Sequence, residues 1–193
     1  MKDPFDYAFE ETVGLEGGYS DNPQDRGGRT KFGITEKMFL HALERGIVSG
    51  TADIKDLTLA QAKAIYMILF WLPLQLNRVD DTDIAAEIFD TAVNSGVFKA
   101  ALLAQMALDY LGESLVLDGQ LGPKTLTLIN KWCMKDPMAL FTALNGMQFV
   151  HFLLIVDDFD LIEALKKCVT PDEKQTMFAR GWTKRVQGYR RTS

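Results

Sequence analysis

The sequence predicts a mainly α-helical protein with one short glycine-rich insertion after its first helix. Two observations carry this prediction: apolar residues recur at helical spacing along most of the chain, and helix-capping signals separate these runs. A third concerns the core, because 47% of the residues are hydrophobic and 12 are Phe, a composition typical of a packed globular protein. At 193 residues, the chain suits one domain or two small lobes that share a core.

The first helix is predicted over about residues 6–15. Phe5, Phe9 and Val13 recur at four-residue spacing and form one apolar stripe. Glu16 follows three residues after Val13, so this spacing places it on the same stripe. A carboxyl group on that stripe would face the interior or a cleft, where burial raises its pKa and suits it to act as a general acid.

Residues 17–34 contain five glycines and little helical periodicity, which indicates a loop or a short twisted hairpin. Gly17 and Gly18 end the first helix, since glycine adopts backbone conformations closed to other residues. The same segment carries a carboxylate, Asp25, and a hydroxyl, Thr30. Together with Glu16 they supply an acid, a second carboxylate and a polar helper, which are the groups that glycosidic hydrolysis requires.

The remaining helices are predicted from apolar periodicity and end signals. Their approximate ranges are 35–43, 58–72, 83–94, 100–111, 123–132, 137–156 and 170–186. Thr58 and Gln61 form a capping box, and Pro171 occupies the first position of the last helix. No long flexible linker interrupts this order, so we expect any two lobes to pack closely.

The charge is unevenly distributed along the chain. The net charge is −5, which argues against nucleic-acid binding by the whole molecule. Residues 174–193 carry six Lys or Arg and no acid, so the rest of the chain carries about −11. Such a basic end is either a dock for an anionic polymer or a solvated helix face.

The two cysteines, Cys133 and Cys168, and the two histidines, His41 and His151, show no metal-ligand spacing. We therefore predict no metal and no cofactor. The sequence favours two buried thiols over a disulfide, which is the alternative.

The N-terminus lacks the basic start and apolar run of a signal peptide. The longest apolar stretches, 65–72 and 149–156, are too short to span a bilayer. We therefore expect a chain that is synthesised in the cytoplasm without a visible export address and does not insert into a membrane.

Six motifs occur in a fixed order over about residues 5–188. They are Glu16-Gly-Gly-Tyr-Ser, Asp25-x-Gly-Gly-x-Thr30-x-x-Gly33-Ile-Thr35, Tyr66…Phe70-Trp71-x-Pro73, Phe89-Asp90-x-Ala92-Val93-Asn94-Ser95-Gly96, Asp118-Gly-x-Leu-Gly122-Pro123-x-Thr125 and Gly181-Trp182-x-x-Arg185-Val186. This set resembles the glycoside hydrolase family 108 N-acetylmuramidases, which include phage endolysins and proteins described as secretion activators. Two features depart from the resemblance: Phe32 stands where many members have Tyr, and residues 157–176 have no counterpart.

The resemblance implies a lysozyme-like fold and hydrolysis of the β-1,4 bond between N-acetylmuramic acid and N-acetylglucosamine in peptidoglycan. It also implies a catalytic part, 1–95, and a peptidoglycan-binding part, 96–193, closely packed as one body. Glu16 matches the catalytic glutamate of the family, and the order Glu16, Asp25, Thr30 is similar to the catalytic triad of phage-type lysozymes. In that comparison Glu16 protonates the leaving oxygen, while Asp25 and Thr30 hold the attacking water, as an inverting route needs.

Several of the candidate site residues have a second possible role or a competing residue. Asp21 could replace Asp25 as the second carboxylate. We assign substrate binding to Tyr19, to Trp71 by stacking on a sugar ring, and to Asn94 by a hydrogen bond to an acetamido group. The alternatives are core packing for Trp71 and a left-handed helix end for Asn94.

Other functions and partners follow from the same resemblance. Peptidoglycan glycan strands are the expected partner, with a holin or secretion machinery as a further one, and the oligomeric state stays open. We expect action on the periplasmic cell wall after export by an unknown route. The alternatives are a wall-binding or secretion-assisting protein in which catalysis is secondary or lost, and a lytic transglycosylase.

Overall fold

The computed structural model describes residues 2–14, 18–21 and 28–155. Its helices and strands, in chain order, are α1 Pro4–Thr12, β1 Tyr19–Ser20, β2 Thr30–Lys31, β3 Ile34–Thr35, α2 Glu36–Glu44, α3 Leu59–Tyr66, α4 Thr82–Ser95, α5 Val97–Tyr110, α6 Pro123–Lys135 and α7 Pro137–Ile155. The prediction of a mainly α-helical fold with a short hairpin after the first helix is confirmed. The last predicted helix, 170–186, and the segment 157–176 lie outside the described residues.

The first helix ends earlier than predicted. It stops at Thr12, where the amide of Gly14 donates to the carbonyl of Glu10 and Gly14 adopts a left-handed φ of 76°, which is a common helix termination. The expected end near Leu15 is therefore wrong. Glu16 lies outside the described residues, and because α1 stops before it, the apolar stripe of α1 no longer predicts its burial.

The three short strands form an antiparallel sheet in the order β1-β2-β3. The paired residues are Tyr19 with Lys31, Ser20 with Thr30, Thr30 with Thr35, and Lys31 with Ile34. Paired residues share a face and neighbours alternate. Ile34 is fully buried, so the face that carries Ile34, Lys31 and Tyr19 is turned to the core, and Thr30 belongs to the opposite face.

The loop between β2 and β3 consists of Phe32 and Gly33, whose φ values are 51° and 71°. Two consecutive positive φ values characterise the tight two-residue turn that joins the strands of a β-hairpin. The buried hydroxyl of Tyr66, on α3, donates to the carbonyl of Phe32 over 3.0 Å. A Cβ on Gly33 would lie 2.8 Å from that hydroxyl oxygen, so the turn requires glycine here.

We expect Gly33→Ala to destabilise the protein more than Gly46→Ala. Both glycines have a left-handed φ, 71° and 66°. Alanine at either position therefore costs about 1–2 kcal/mol of backbone strain in this left-handed conformation. Only Gly33 is approached by another atom, because a Cβ on Gly46 meets nothing within 4 Å. The additional loss at Gly33, about 1 kcal/mol for the displaced Tyr66 hydrogen bond, should appear in the urea midpoints. Equal midpoints for the two variants would contradict this account.

Most of the helices that follow begin within one residue of the prediction, whereas α5 begins at Val97, three residues before the expected start, and not all of them end as predicted. Thr35 accepts a hydrogen bond from the amide of Met38 at the start of α2, and Thr58 and Gln61 form the predicted capping box of α3. The predicted helix 58–72 is regular only to Tyr66, after which Met67–Trp71 forms a π-helical turn. A π turn widens the helix by one residue and changes which side chains face inward.

Helix α4 is the centre of the fold and packs against α1, α5 and α7. Its inward face joins an aromatic cluster in which Phe5, Trp71 and Phe89 meet edge to face, with ring centroids 5.5–5.9 Å apart. Gly96, with a φ of 92°, is the single residue between α4 and α5. The parts of the chain before and after Gly96 therefore pack against each other through α4 and α5.

In the C-terminal half, buried polar groups fix the turn before α6. Gln105 is 1% exposed; its amide nitrogen donates to Asp118 and its amide oxygen accepts from the backbone of Gly119. The indole of buried Trp132 donates to Glu113 over 2.8 Å. The contacts of Gln105 explain why the Asp118–Gly122 stretch forms a defined turn although it has little apolar content.

Helix α7 is longer than the apolar stretch 149–156 singled out in the sequence. It has 19 residues with a mean hydropathy of 1.6, and by length and composition alone it could cross a membrane. Its first half contributes Ala139, Leu140 and Leu144 to the core, as core helices of globular proteins do. Its last two turns expose apolar side chains, including Phe149 and Ile155. The absence of membrane insertion stays a prediction.

Candidate active site

The motif that carries the predicted catalytic residues surrounds the small sheet. Glu16 and Asp25 lie outside the described residues. Thr30 is described: it sits half-buried in the central strand β2, with Ser20 and Thr35 directly beside it on the same face. The outer face of the sheet therefore carries a row of three hydroxyl groups, with Thr30 in the middle.

Tyr19 lies on the other face of the sheet, away from Thr30. Its hydroxyl accepts a hydrogen bond from Nε of Arg29 and donates to Oδ2 of Asp21, both over 3.1 Å. The ammonium group of Lys55 lies 5.1 Å from the centre of its ring. The polar groups of Tyr19 are thus engaged within the protein, and its contacts tie β1 to the segments that follow it.

Arg29 holds this region together. Besides Tyr19, it contacts Glu36 at 2.8 Å and Asp53 at 2.5 Å, which brings the start of α2 and the turn Ile54–Asp56 to the sheet. The hydrogen bond with Tyr19 is the main cause that raises the pKa of Arg29. The pKa of Asp53 is lowered, first by the backbone amide of Lys55 and then by the charge of Arg29.

Sequence reasoning missed Arg29. The only signal was its position inside the Gly-Gly-Arg-Thr string, and an arginine in a glycine-rich loop is commonly a solvent-exposed charge without a specific partner. Its partner Asp53 lies 24 residues further on, and no spacing rule for helices or hairpins joins residues so far apart.

Two residues assigned to substrate binding lie elsewhere. Trp71 is 2% exposed, with Phe5 and Phe89 edge-on against it, so neither face of its ring is open to a sugar in this structure, and it packs in the core. Asn94 is exposed in the last turn of α4, and its amide donates to the carbonyl of Asp90 over 2.9 Å. The left-handed residue that ends α4 is Gly96, not Asn94, so the alternative for Asn94 is wrong.

Two cavities flank the described fold. A cavity of about 550 Å³ lies beside the motif, between Arg29 and α2, and includes Glu36 and Glu44. A second, of about 400 Å³, lies between α1, α4 and α7. Within residues 2–14, 18–21 and 28–155, no group of His, Cys, Asp or Glu is placed to hold a metal ion. Burial raises the pKa of the Cys133 thiol to about 11.

Comparison with known proteins divides the chain at the same place as the α4–α5 junction. Residues 9–96 match the family Glycosyl hydrolase 108, and residues 99–187 match a family described as Predicted Peptidoglycan domain. Among solved structures, the chain is similar to SagA of Brucella abortus, with 25% identity and a TM-score of 0.58 over 96% of this chain and 91% of that one. No curated protein matches the chain.

The two family matches follow each other without overlap and together account for most of the chain. The similarity to SagA extends across both of them. The described fold, mainly helical with a hydroxyl-bearing hairpin inside the first matched region, agrees with this assignment. Residues 9–96 therefore belong to the Glycosyl hydrolase 108 family, and residues 99–187 form a Predicted Peptidoglycan domain that follows it.

Proposed function

We propose that the protein is a lysozyme-type N-acetylmuramidase that cleaves the β-1,4 bond between N-acetylmuramic acid and N-acetylglucosamine in peptidoglycan. The observation that carries this proposal is the match of residues 9–96 to Glycosyl hydrolase 108, followed by a peptidoglycan domain over 99–187. The first match contains Glu16, Asp25 and Thr30. We propose a catalytic part, 1–95, and a wall-binding part, 96–193.

In the proposed reaction, protonated Glu16 donates its proton to the glycosidic oxygen, and the bond from that oxygen to the muramic acid carbon breaks. Asp25 takes a proton from a water molecule whose oxygen bonds to the same carbon from the opposite face, as in an inverting glycosidase. Thr30 orients this water through its hydroxyl. The products are a new reducing end and a free hydroxyl on the leaving sugar.

The sheet register supports this grouping by limiting how far apart the three residues can be. Ser20 and Thr30 are paired across β1 and β2, so their Cα atoms lie about 5 Å apart. Glu16 precedes Ser20 by four residues, a reach of at most about 14 Å. Asp25 belongs to the connection that leads from β1 back to β2. Strand pairing and chain length therefore allow all three residues to meet beside the small sheet.

Comparing Asp25→Asn with Asp21→Asn tests which of the two residues is the second catalytic carboxylate. We expect Asp25→Asn to slow the release of dye-labelled fragments from sacculi by about 10²-fold or more, since it removes the base. Asp21→Asn should be nearly neutral, because an amide oxygen still accepts the hydrogen bond from Tyr19 that Asp21 accepts in the structure. If Asp21→Asn is the slower variant, the roles of the two residues are reversed.

The reaction class is tested by mass spectrometry of the fragments that the wild-type protein releases from purified sacculi. Hydrolysis at the proposed bond gives reducing N-acetylmuramic acid ends. Anhydro-muramic ends would instead assign the chain to lytic transglycosylase chemistry, which needs the acid but not the second carboxylate. Reducing N-acetylglucosamine ends would contradict the proposed bond.

A role in assisting secretion is the second candidate. It is favoured by the similarity to SagA over 96% of the chain and by the resemblance to proteins described as secretion activators. In this view the protein remodels the periplasmic wall after export, with secretion machinery, or a holin in a phage setting, as partner. Deletion of residues 157–176 separates the roles: loss of protein export with intact lysis of sacculi would support the secretion role, whereas normal export would contradict it.

A further inference from the structure

The cavity between α1, α4 and α7, here called the acidic groove, has a volume of about 400 Å³. Five carboxyl-bearing residues line it: Glu11, Asp81, Asp83, Glu87 and Asp90. The part of the chain that the structure describes contributes no Lys or Arg to this lining. Several negative charges thus share one concave surface, a field that attracts a cationic occupant.

The partners that two of these carboxylates have in the structure are neutral. Tyr7 donates its hydroxyl to Asp83 over 2.8 Å, and Gln148 donates its amide to Asp90 over 2.9 Å. These bonds fix the carboxylates in position but leave their charge in place. Hydrogen bonds therefore hold two of the five carboxylates in position without a compensating positive charge.

The groove is also apolar on the side formed by α7. Met138 and Phe141 line it, and Met138 is 53% exposed. Helical spacing continues this side along α7 to Phe149 and Phe152, which are 62% and 39% exposed. An apolar stripe, interrupted at half-buried Asn145, thus leads from the acidic groove to the end of α7. It suits an occupant with apolar residues at helical spacing and basic residues beside them.

The chain itself contains such a segment. Residues 174–191 include six Lys or Arg and no acid. Met177, Phe178, Trp182 and Val186 recur there at helical spacing. The segment and α7 also fall within the same matched domain, 99–187, apart from the last few residues.

We propose that residues 174–191 dock along the exposed stripe of α7 with their basic side chains over the acidic groove. The chain can reach this position: residues 156–173 extend to at most about 60 Å, about twice the roughly 27 Å length of α7.

The test uses the full-length protein with Trp182 as the reporter. Trp71 and Trp132 are 2% and 1% exposed, and subtracting the spectra of the Trp182→Phe protein isolates the Trp182 signal. Met138→Arg places in the groove a positive charge that repels the basic side chains of residues 174–191. Met138 is exposed, so the core stays intact. Met134→Arg, on α6 at a position 80% exposed, is the matched control. Circular dichroism melts check that both variants fold.

The measurement is quenching of Trp182 by acrylamide, a neutral quencher. We expect Trp182 to be shielded in the wild type and in Met134→Arg. In Met138→Arg its quenching constant should rise toward that of N-acetyltryptophanamide, and high salt should raise it in the wild type by screening the charges.

Three results would overturn the proposal. The first is equal quenching of Trp182 in all proteins, whether shielded or free. The second is shielding that depends on protein concentration, together with a dimer in sedimentation, which would make a second copy the occupant. The third is shielding that appears only with phosphatidylglycerol vesicles, which would assign the stripe to a membrane surface.

Discussion

Replacing Glu16 with Gln should reduce the release of fragments from purified sacculi by about 10²–10⁴-fold, the usual contribution of a general acid. Glutamine keeps the size of the side chain and its ability to hydrogen-bond but has no proton to give to the leaving oxygen. The melting temperature should stay close to the wild-type value, because the glutamine side chain has the same number of non-hydrogen atoms and no net charge, like the protonated acid. Binding of the variant to sacculi in a pull-down should also persist, since the proposed wall-binding part is untouched.

Glu10→Gln is the matched control for this experiment. Glu10 lies on α1, six residues before Glu16, and its carboxylate contacts Lys2 at the surface, an interaction of small energetic value. We expect full activity from this variant. Similar rates of lysis for wild type, Glu10→Gln and Glu16→Gln would show that another residue is the acid.

Replacing Trp71 with Ala should lower the free energy of unfolding by about 3–5 kcal/mol, the usual cost of deleting a large aromatic side chain from a core. Trp71 is 2% exposed and meets Phe5 and Phe89 edge to face, so its removal leaves a cavity between α1, α4 and the π-helical turn. The measurement is urea unfolding followed by far-ultraviolet circular dichroism. A loss of this size could leave the protein only partly folded at physiological temperature.

Two variants distinguish core packing from sugar stacking. Leu72→Ala changes the next residue, which is 48% exposed, and should cost little. Trp71→Phe keeps a ring against Phe5 and Phe89 and should recover much of the stability and all of the affinity for glycan fragments. If Trp71→Phe instead weakens glycan binding without changing stability, the ring contacts the substrate and the core assignment is wrong.

Most of the helical architecture could be predicted because its signals are local. The Thr35 and Thr58 caps act over three residues, within the range that a single sequence displays. The Gly96 junction and the start of α6 at Pro123 also depend on backbone preferences of the residues concerned. Apolar spacing then identified the faces of these helices that are buried.

The errors arose where the structure depends on longer-range or subtler effects. The end of α1 was misplaced because Gly14, which precedes the glycine pair, already takes the left-handed conformation. Trp71 was assigned to the substrate because aromatic residues serve cores and sugar sites alike, and burial depends on the packing of α1 against α4. Arg29 was missed because its partner Asp53 is brought to it by tertiary structure alone.

The tyrosine that holds the hairpin turn has a consequence for kinetics. Burial raises the pKa of Tyr66 to about 12, so its hydroxyl keeps the proton that it donates to Phe32 throughout the pH range in which carboxyl groups titrate. The support of β2 and β3 through this bond is therefore constant from acid to neutral pH. A change in lytic rate across that range can be attributed to ionisation of the reacting carboxyl groups without a correction for loosening of this turn.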